Sequence, residues 1–217
     1  ALALVGNRHD LEERQRIAVR RSACSDQSLH RRTRSRVAVA QCGQHPLGID
    51  GYNLLITIES GLSGGPIFVG RDGAYRDLAS VHGTYRKVEE TLPAVRLIHE
   101  NIQTIGVSTI DWYLDRPVSN SGRLKTLIAE VVESSGVRWN IELVDSPDRI
   151  LADYDGVVAS SDSWILDRCK AWTNLAGDII DARLSDSWRV LMSEATDGPT
   201  GASPPPRPDD QQQAERE

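Results

Sequence analysis

Leu47-Gly48-Ile49-Asp50-Gly51-Tyr52-Asn53 is the stretch whose reading decides the fold. Leu47–Asp50 reads as a short buried strand that ends in a carboxylate, and Gly51 lets the chain turn sharply into a helix over Tyr52–Ser60, closed by Gly61. A second segment, Val157-Val158-Ala159-Ser160-Ser161-Asp162, repeats the idea: an apolar strand through residues 156–160, then a carboxylate. In a parallel sheet the carboxyl ends of the strands share one edge, and open α/β folds place their sites there.

The rest of the chain alternates in the same way. Val107–Leu114 is a β-branched strand, and Trp139–Val144 is another. Ser121–Ser135 carries the clearest helical period, with Leu124, Leu127, Ile128, Val131 and Val132 on one face and Gly136 as its stop. Val88–Gln103, Pro147–Leu151, Ser163–Arg168 and most of Thr173–Val190 read as helical. Pro66–Gly70 and Ala74–Leu78, joined by Arg71-Asp72-Gly73, read as a hairpin, since Asp-Gly between apolar residues favours a tight turn. Together these predict an α/β fold with a parallel sheet of four to five strands flanked by helices.

Three regions are expected. Residues 1–42 form an Arg-rich helical segment: a helix over residues 10–24 with Asp10 as N-cap and Glu13 completing a capping box, then a polar linker over 25–36, then a short helix or strand. Residues 43–195 form the α/β domain. Residues 196–217, rich in Pro and Gln, cannot build a core and read as disordered.

Charge follows the same division. Residues 1–42 hold nine Arg against four acids, whereas residues 43–195 hold 14 basic and 22 acidic residues, within a net charge of −6. A basic arm on an acidic body either contacts nucleic-acid phosphate or docks on its own domain. No apolar run approaches a membrane span. Cys24, Cys42 and Cys169 give neither a disulfide framework nor a zinc spacing, so a reducing cytoplasm is the expected compartment.

Asp50, Asp115, Asp145 and Asp162 each end a predicted strand, with Asp111 and Glu59 behind them. Clustered carboxylates raise one another's pKa, and a hard divalent cation such as Mg²⁺ or Mn²⁺ relieves that repulsion. Such an ion activates water and steadies phosphoryl oxygens, so the pattern points to phosphodiester hydrolysis. Asn53, one turn beyond Asp50, is placed to orient it or a water. Ser119, Ser121 and Gly122, with Arg123, precede the strongest helix and suit a phosphate. Each of these has a plainer role too: Asp50, Ser119, Ser121 and Asp162 all stand where helix caps stand. Trp164, beside Asp162, is placed for core packing or for stacking on a base. Ser63-Gly64-Gly65 lacks the Lys of a P-loop and no Gly-x-Gly-x-x-Gly follows a strand, which sets the ATPase and dinucleotide classes aside, and the absence of Gly-x-Ser-x-Gly weakens a serine-hydrolase reading. The five His residues show no metal-binding spacing; His82, in a predicted loop, is placed for a base or, more simply, for a surface histidine.

Asp50-Gly51-Tyr52-Asn53 resembles the opening of the NYN branch of the PIN-like nucleases, and the strand ending in Asp162 resembles the late strand and acid of that fold. Residues 1–190 as a whole resemble an uncharacterised prokaryotic family, domain of unknown function 434. The resemblance implies Mg²⁺ or Mn²⁺ held by three or four acids and cleavage of RNA, with Asp50 as the first acid and Asp162 as a late one. Asp115 and Asp145 are the candidates for the middle positions. Ser63–Asp77 is an insertion relative to that fold. A catalytically inactive nucleic-acid- or partner-binding module on the same fold is the alternative.

Overall fold

The computed structural model describes residues 2–79, 85 and 88–192. His82 and the Pro/Gln-rich tail lie outside the described residues.

Five strands form one parallel sheet: β1 (Pro46–Asp50), β4 (Thr109–Asp115), β5 (Arg138–Val144), β6 (Val157–Ala159) and β7 (Trp172–Thr173), in the spatial order β5-β4-β1-β6-β7. The chain starts in the middle, builds outward through β4 and β5, then returns to the other side of β1 for β6 and β7. That reversal makes the β1–β6 junction a switch point, where the loops leaving two neighbouring strands part to opposite sides. Register is set by Leu47 opposite Ile110 on one side and opposite Val157 on the other.

β1 is buried from Leu47 to Asp50, as a central strand covered on both faces must be. One face is covered by α4 (Gly51–Leu62), α5 (Thr91–Ile105), α6 (Ser121–Val132) and α9 (Leu175–Arg183), which pack Leu55, Ile58, Ile98, Ile102, Ile128 and Ile179 into one core. The other face is covered by α7 (Pro147–Ala152) and α8 (Ser163–Leu166), through Leu151, Ile165 and Leu166 against Val158 and Trp172. This is the three-layer α/β arrangement that the sequence predicts. Gly51 is required by close packing: a methyl there would meet Trp112 Nε1 and come within 2.5 Å of the Tyr113 carbonyl oxygen.

The 173–190 region departs from the helical expectation. Trp172 and Thr173 form an edge strand, and after α9 the chain extends as β8 (Arg189–Leu191). β8 runs parallel to β2 (Ile67–Val69), which pairs antiparallel with β3 (Tyr75–Arg76), giving a separate three-stranded sheet. The expected hairpin is therefore present, with Gly73 at φ 74° in its turn.

The N-terminal segment comprises α1 (Leu2–Arg8), α2 (Glu13–Ser22) and α3 (Asp26–Ser35), then a 3-10 turn over Val39–Gln41. Two expectations are corrected. The N-cap of α2 is Glu12, not Asp10: the Glu12 amide donates to Gln15 Oε1 at 2.8 Å in a reciprocal box, and Asp10 takes a left-handed φ of 49°. Residues 25–36 are largely a helix rather than a linker, started by the Ser25 hydroxyl, which accepts from the Ser28 amide.

That helix is docked through charge. Arg32 is buried at 3% exposure and forks: Nε and Nη2 reach the Asp167 carboxylate at 2.7 and 2.8 Å, and Nη1 reaches Asp72 at 2.7 Å. Arg76 closes the set with two bonds to Asp72. Burial alone would raise the Asp72 carboxyl; the bonds from Arg76 and Arg32 outweigh it and hold the group below the usual carboxylate range. Trp172 Nε1 also donates to the Arg32 carbonyl. Among the described residues no helix is long and apolar enough to cross a membrane.

Candidate functional site

The strand order puts Asp50, Asp115, Asp145 and Asp162 at the carboxyl edge of the sheet, but only some of them converge. Asp50 and Asp162 flank the switch point and line one cleft of about 200 Å³ together with Asn53, Tyr52, Asp148, Arg21 and Asp77. Asp50 is 6% exposed. Its Oδ2 accepts from the Ser160 hydroxyl at 2.7 Å. Burial pushes its carboxyl up to about 7; the Ser160 bond works the other way, and Asp148, Asp162 and Asp115 add to the rise. Burial likewise raises Asp115. Asp148 is raised first by desolvation, then by Asp162 and Asp115. The charges of Asp162 and Asp115 thus reach both Asp50 and Asp148, and none of the four acids has an ion-pair partner among the described residues.

Asp162 is also a helix cap. Its Oδ1 accepts from the Trp164 and Ile165 amides at 2.8 and 3.2 Å, which leaves Oδ2 for the cleft. Asn53 does not hold Asp50. Its amide oxygen accepts from the Ser161 amide and hydroxyl at 2.8 and 2.9 Å, bracing the end of β6 against α4. The Tyr52 hydroxyl is buried without a hydrogen-bond partner, and burial followed by the Asp115 charge raises it to about 12.

Asp145 stands apart: it is exposed and sits 3.3 Å from Arg116, itself solvent-facing. Asp111 accepts from Asn140 at 2.6 Å and from the Tyr154 hydroxyl at 2.5 Å, within the sheet's flank. Glu59 is buried under α5, taking bonds from the Tyr85 and Thr91 hydroxyls. At the start of α6, Asn120 is the N-cap with φ 69° and no side-chain cap bond. Ser121 is buried with its hydroxyl 3.5 Å from the Arg116 carbonyl, while Ser119, Gly122 and Arg123 are exposed. Arg123 and Asn120 border a different groove, with Tyr85 and Thr91, so the α6 start lies outside the acidic cleft.

Sequence reasoning did not select Asp148, Arg21, Tyr52 and Asp77, which line the cleft, or Ser160, which holds Asp50. Asp148 had a readable signal: Ser146-Pro147-Asp148 is a helix start with Pro at the first position, which puts the acid on the first turn at the sheet edge. Arg21 had none, because its place depends on how α2 docks. Its Nη1 lies 3.4 Å from Asp77 and 3.2 Å from the Ala79 carbonyl.

The acids are hard oxygen donors of the kind Mg²⁺ and Mn²⁺ prefer. Among the described residues no three His, Cys, Asp or Glu side chains form a ready metal cage. Mg²⁺ asks less than that, since it commonly keeps several waters and takes one or two carboxylates plus substrate phosphate. The buried Asp50 carboxylate, with acidic neighbours and no ion-pair partner among the described residues, fits such an ion.

Fold and site together define a parallel α/β protein with an acidic cleft at the switch point of its sheet. The chain belongs to the family described as Domain of unknown function (DUF5616), whose model matches residues 39–178. Residues 1–35 match a separate model, Protein of unknown function (DUF434), so that resemblance is confined to the N-terminal segment. The chain is 30% identical over 166 residues to an uncharacterised protein of Methanocaldococcus jannaschii, covering 76% of this chain and 79% of the relative. No solved structure matches.

Proposed function

We propose that the chain is a Mg²⁺- or Mn²⁺-dependent nuclease on a PIN-like plan, hydrolysing RNA phosphodiesters at the β1–β6 junction. One observation carries the reading: Asp50 is buried with no ion-pair partner among the described residues, and burial first, then three further acids, raise its pKa. A structural acid in such a place would be paired or replaced, because an unpaired buried charge costs several kcal/mol on the usual scale. Sites that bind cations keep that arrangement.

In this reading Asp50 and one cleft neighbour, Asp148 or Asp162, would hold the ion directly while the other meets its waters, with Asp115 adding charge behind them. The ion, when bound, supplies a more acidic water and neutralises charge on the phosphoryl oxygens. Ser160 fixes the Asp50 carboxylate, and Asn53 fixes the Ser161 backbone beside it. Arg21 reaches the same cleft and is positioned to meet a substrate phosphate. Because burial pushes the Asp50 carboxyl up to about 7, a cation bound there would displace a proton and would bind more tightly as pH rises.

The test is RNA cleavage with Mn²⁺ by the full chain against Asp50→Asn and Asp148→Asn. Each substitution is expected to lower the rate at least a hundredfold, on the scale of lost electrostatic stabilisation. Unchanged cleavage by Asp50→Asn overturns the assignment. A catalytically silent nucleic-acid- or partner-binding module on the same fold is the second reading. It predicts RNA binding that weakens steeply with salt and no metal-dependent cleavage at all.

A further inference from the structure

We propose that the open groove beside the acidic cleft, walled by Arg31, Arg149, Trp164 and Arg168, binds a single-stranded nucleic acid: a base stacks at Trp164 and the backbone follows the guanidiniums. The inference rests on the nuclease reading, whose substrate it specifies.

Trp164 is 42% exposed. In a helix of four residues, Ile165 and Leu166 take the buried positions, which leaves the indole outside. It does not serve the core. Arg168 lies over it, with the guanidinium carbon 4.1 Å from the ring centroid and Nη1 donating to the Trp164 carbonyl at 3.0 Å. That bond holds a planar cation on a planar ring, a platform every base can stack on.

The charge around it is unbalanced. Arg31, Arg149 and Arg168 are exposed and form no ion pair among the described residues. Two acids border the groove. Asp167 already has both oxygens on Arg32, which leaves Asp153 alone against three cations. On a chain with a net charge of −6, such a strip attracts a polyanion. The groove holds about 600 Å³, room for a nucleotide. An exposed stacking ring favours unpaired bases, because a duplex hides its base faces.

The groove also leads to the acids. Arg149 follows Asp148, and Trp164 donates its amide to Asp162. A strand lying on the guanidiniums therefore arrives at the cleft.

The test uses the full chain in EDTA, which prevents cleavage, with fluorescein-labelled oligo(U) and oligo(dT) read by anisotropy, and inorganic polyphosphate as a base-free polyanion. Both oligonucleotides are expected to bind more tightly than polyphosphate, and their ratio tells RNA from DNA. Trp164→Ala is expected to weaken binding about 5- to 150-fold, and Trp164→Phe to restore most of it. Arg149→Ala and Arg168→Ala are each expected to reduce the slope of log K against log salt by about 0.7 to 1. Unchanged binding by Trp164→Ala, or polyphosphate binding as tightly as either oligonucleotide, overturns the proposal. If Trp164→Ala binds normally while Asp50-dependent cleavage persists, this groove is wrong and the nuclease reading stands. If binding needs Trp164 but Mg²⁺ and Mn²⁺ give no cleavage, the groove stands and the nuclease reading fails.

Discussion

Asp50→Asn is expected to make the protein more stable at neutral and alkaline pH while removing the proposed metal-dependent cleavage. Burial raises the Asp50 carboxyl from its ordinary 3.8 to about 7. The folded state therefore holds a proton over an interval in which the unfolded chain has released it. Stability contributed by the protonated form is complete below 3.8 and is lost as pH climbs to about 7. A little over three pH units at 1.36 kcal/mol each sets an upper bound of about 4 kcal/mol. Asn has the same shape, keeps an oxygen for the Ser160 hydroxyl and never ionises. Local relaxation takes part of the bound, so a gain of about 2 kcal/mol at pH 8 is expected, falling to less than about 1 kcal/mol at pH 5 and vanishing only toward 3.8. For a chain of this size that is a melting shift of about 4 to 8 °C. The assay is urea unfolding of both proteins from pH 5 to 8.5 in EDTA. Saturating Mg²⁺ should then recover the loss in the native protein and do nothing for Asp50→Asn. Stability curves that run parallel with pH, or an Asp50→Asn protein that is the weaker one at pH 8, would refute the reasoning.

Arg32→Met removes the cation shared by Asp72 and Asp167. Asp72 keeps Arg76 and Asp167 can turn to water, so the loss should fall at the low end of the buried-pair range, about 3 kcal/mol by urea unfolding, with faster proteolysis within residues 2–35. Asp145→Asn breaks only an exposed contact with Arg116 and should change stability by less than about 0.5 kcal/mol and leave cleavage intact, in contrast to Asp148→Asn. Asp162→Ala removes a cap that accepts two amides and should cost about 1 kcal/mol of stability, measurable by thermal melting, together with activity. Gly51→Ala forces a methyl toward Trp112 and the Tyr113 carbonyl and should destabilise by about 3 kcal/mol or prevent folding, read from soluble yield and melting temperature.

The sheet was legible in the sequence because its signals are local. Leu47–Asp50, Val107–Leu114 and Trp139–Val144 are apolar stretches punctuated by turn residues, and the period of Ser121–Ser135 needs no partner to be seen. What escaped depends on contacts far along the chain. Trp172 and Thr173 are a strand only because Val158 and Ala159 lie beside them. Arg189–Leu191 is a strand only because the hairpin at Ile67–Val69 receives it. The α3 stretch, His30-Arg31-Arg32-Thr33-Arg34, reads as solvent-facing because Arg is rarely buried; the acids that make burial tolerable, Asp72 and Asp167, are 40 and 135 residues away. The edge acids were legible as strand ends. Which of them converge was not, since that turns on side-chain direction: Asp145 leans to Arg116, while Asp148, one helical turn on, faces the cleft.

The docking of α3 bears on where the molecule can be divided. Val37 donates its amide to the Trp172 carbonyl, and Arg36 bridges the same residue, so the chain just after α3 lies along the outer strand of the main sheet. A truncation at residue 39, where the larger family match begins, would strip that strand of its cover and leave backbone groups ready to pair with another molecule. It would also abandon Asp72 and Asp167 without Arg32, and the cleft without Arg21. Two segments matched by separate family models are therefore packed as one unit, and a fragment cut at either boundary should be expected to aggregate rather than to report on the intact protein.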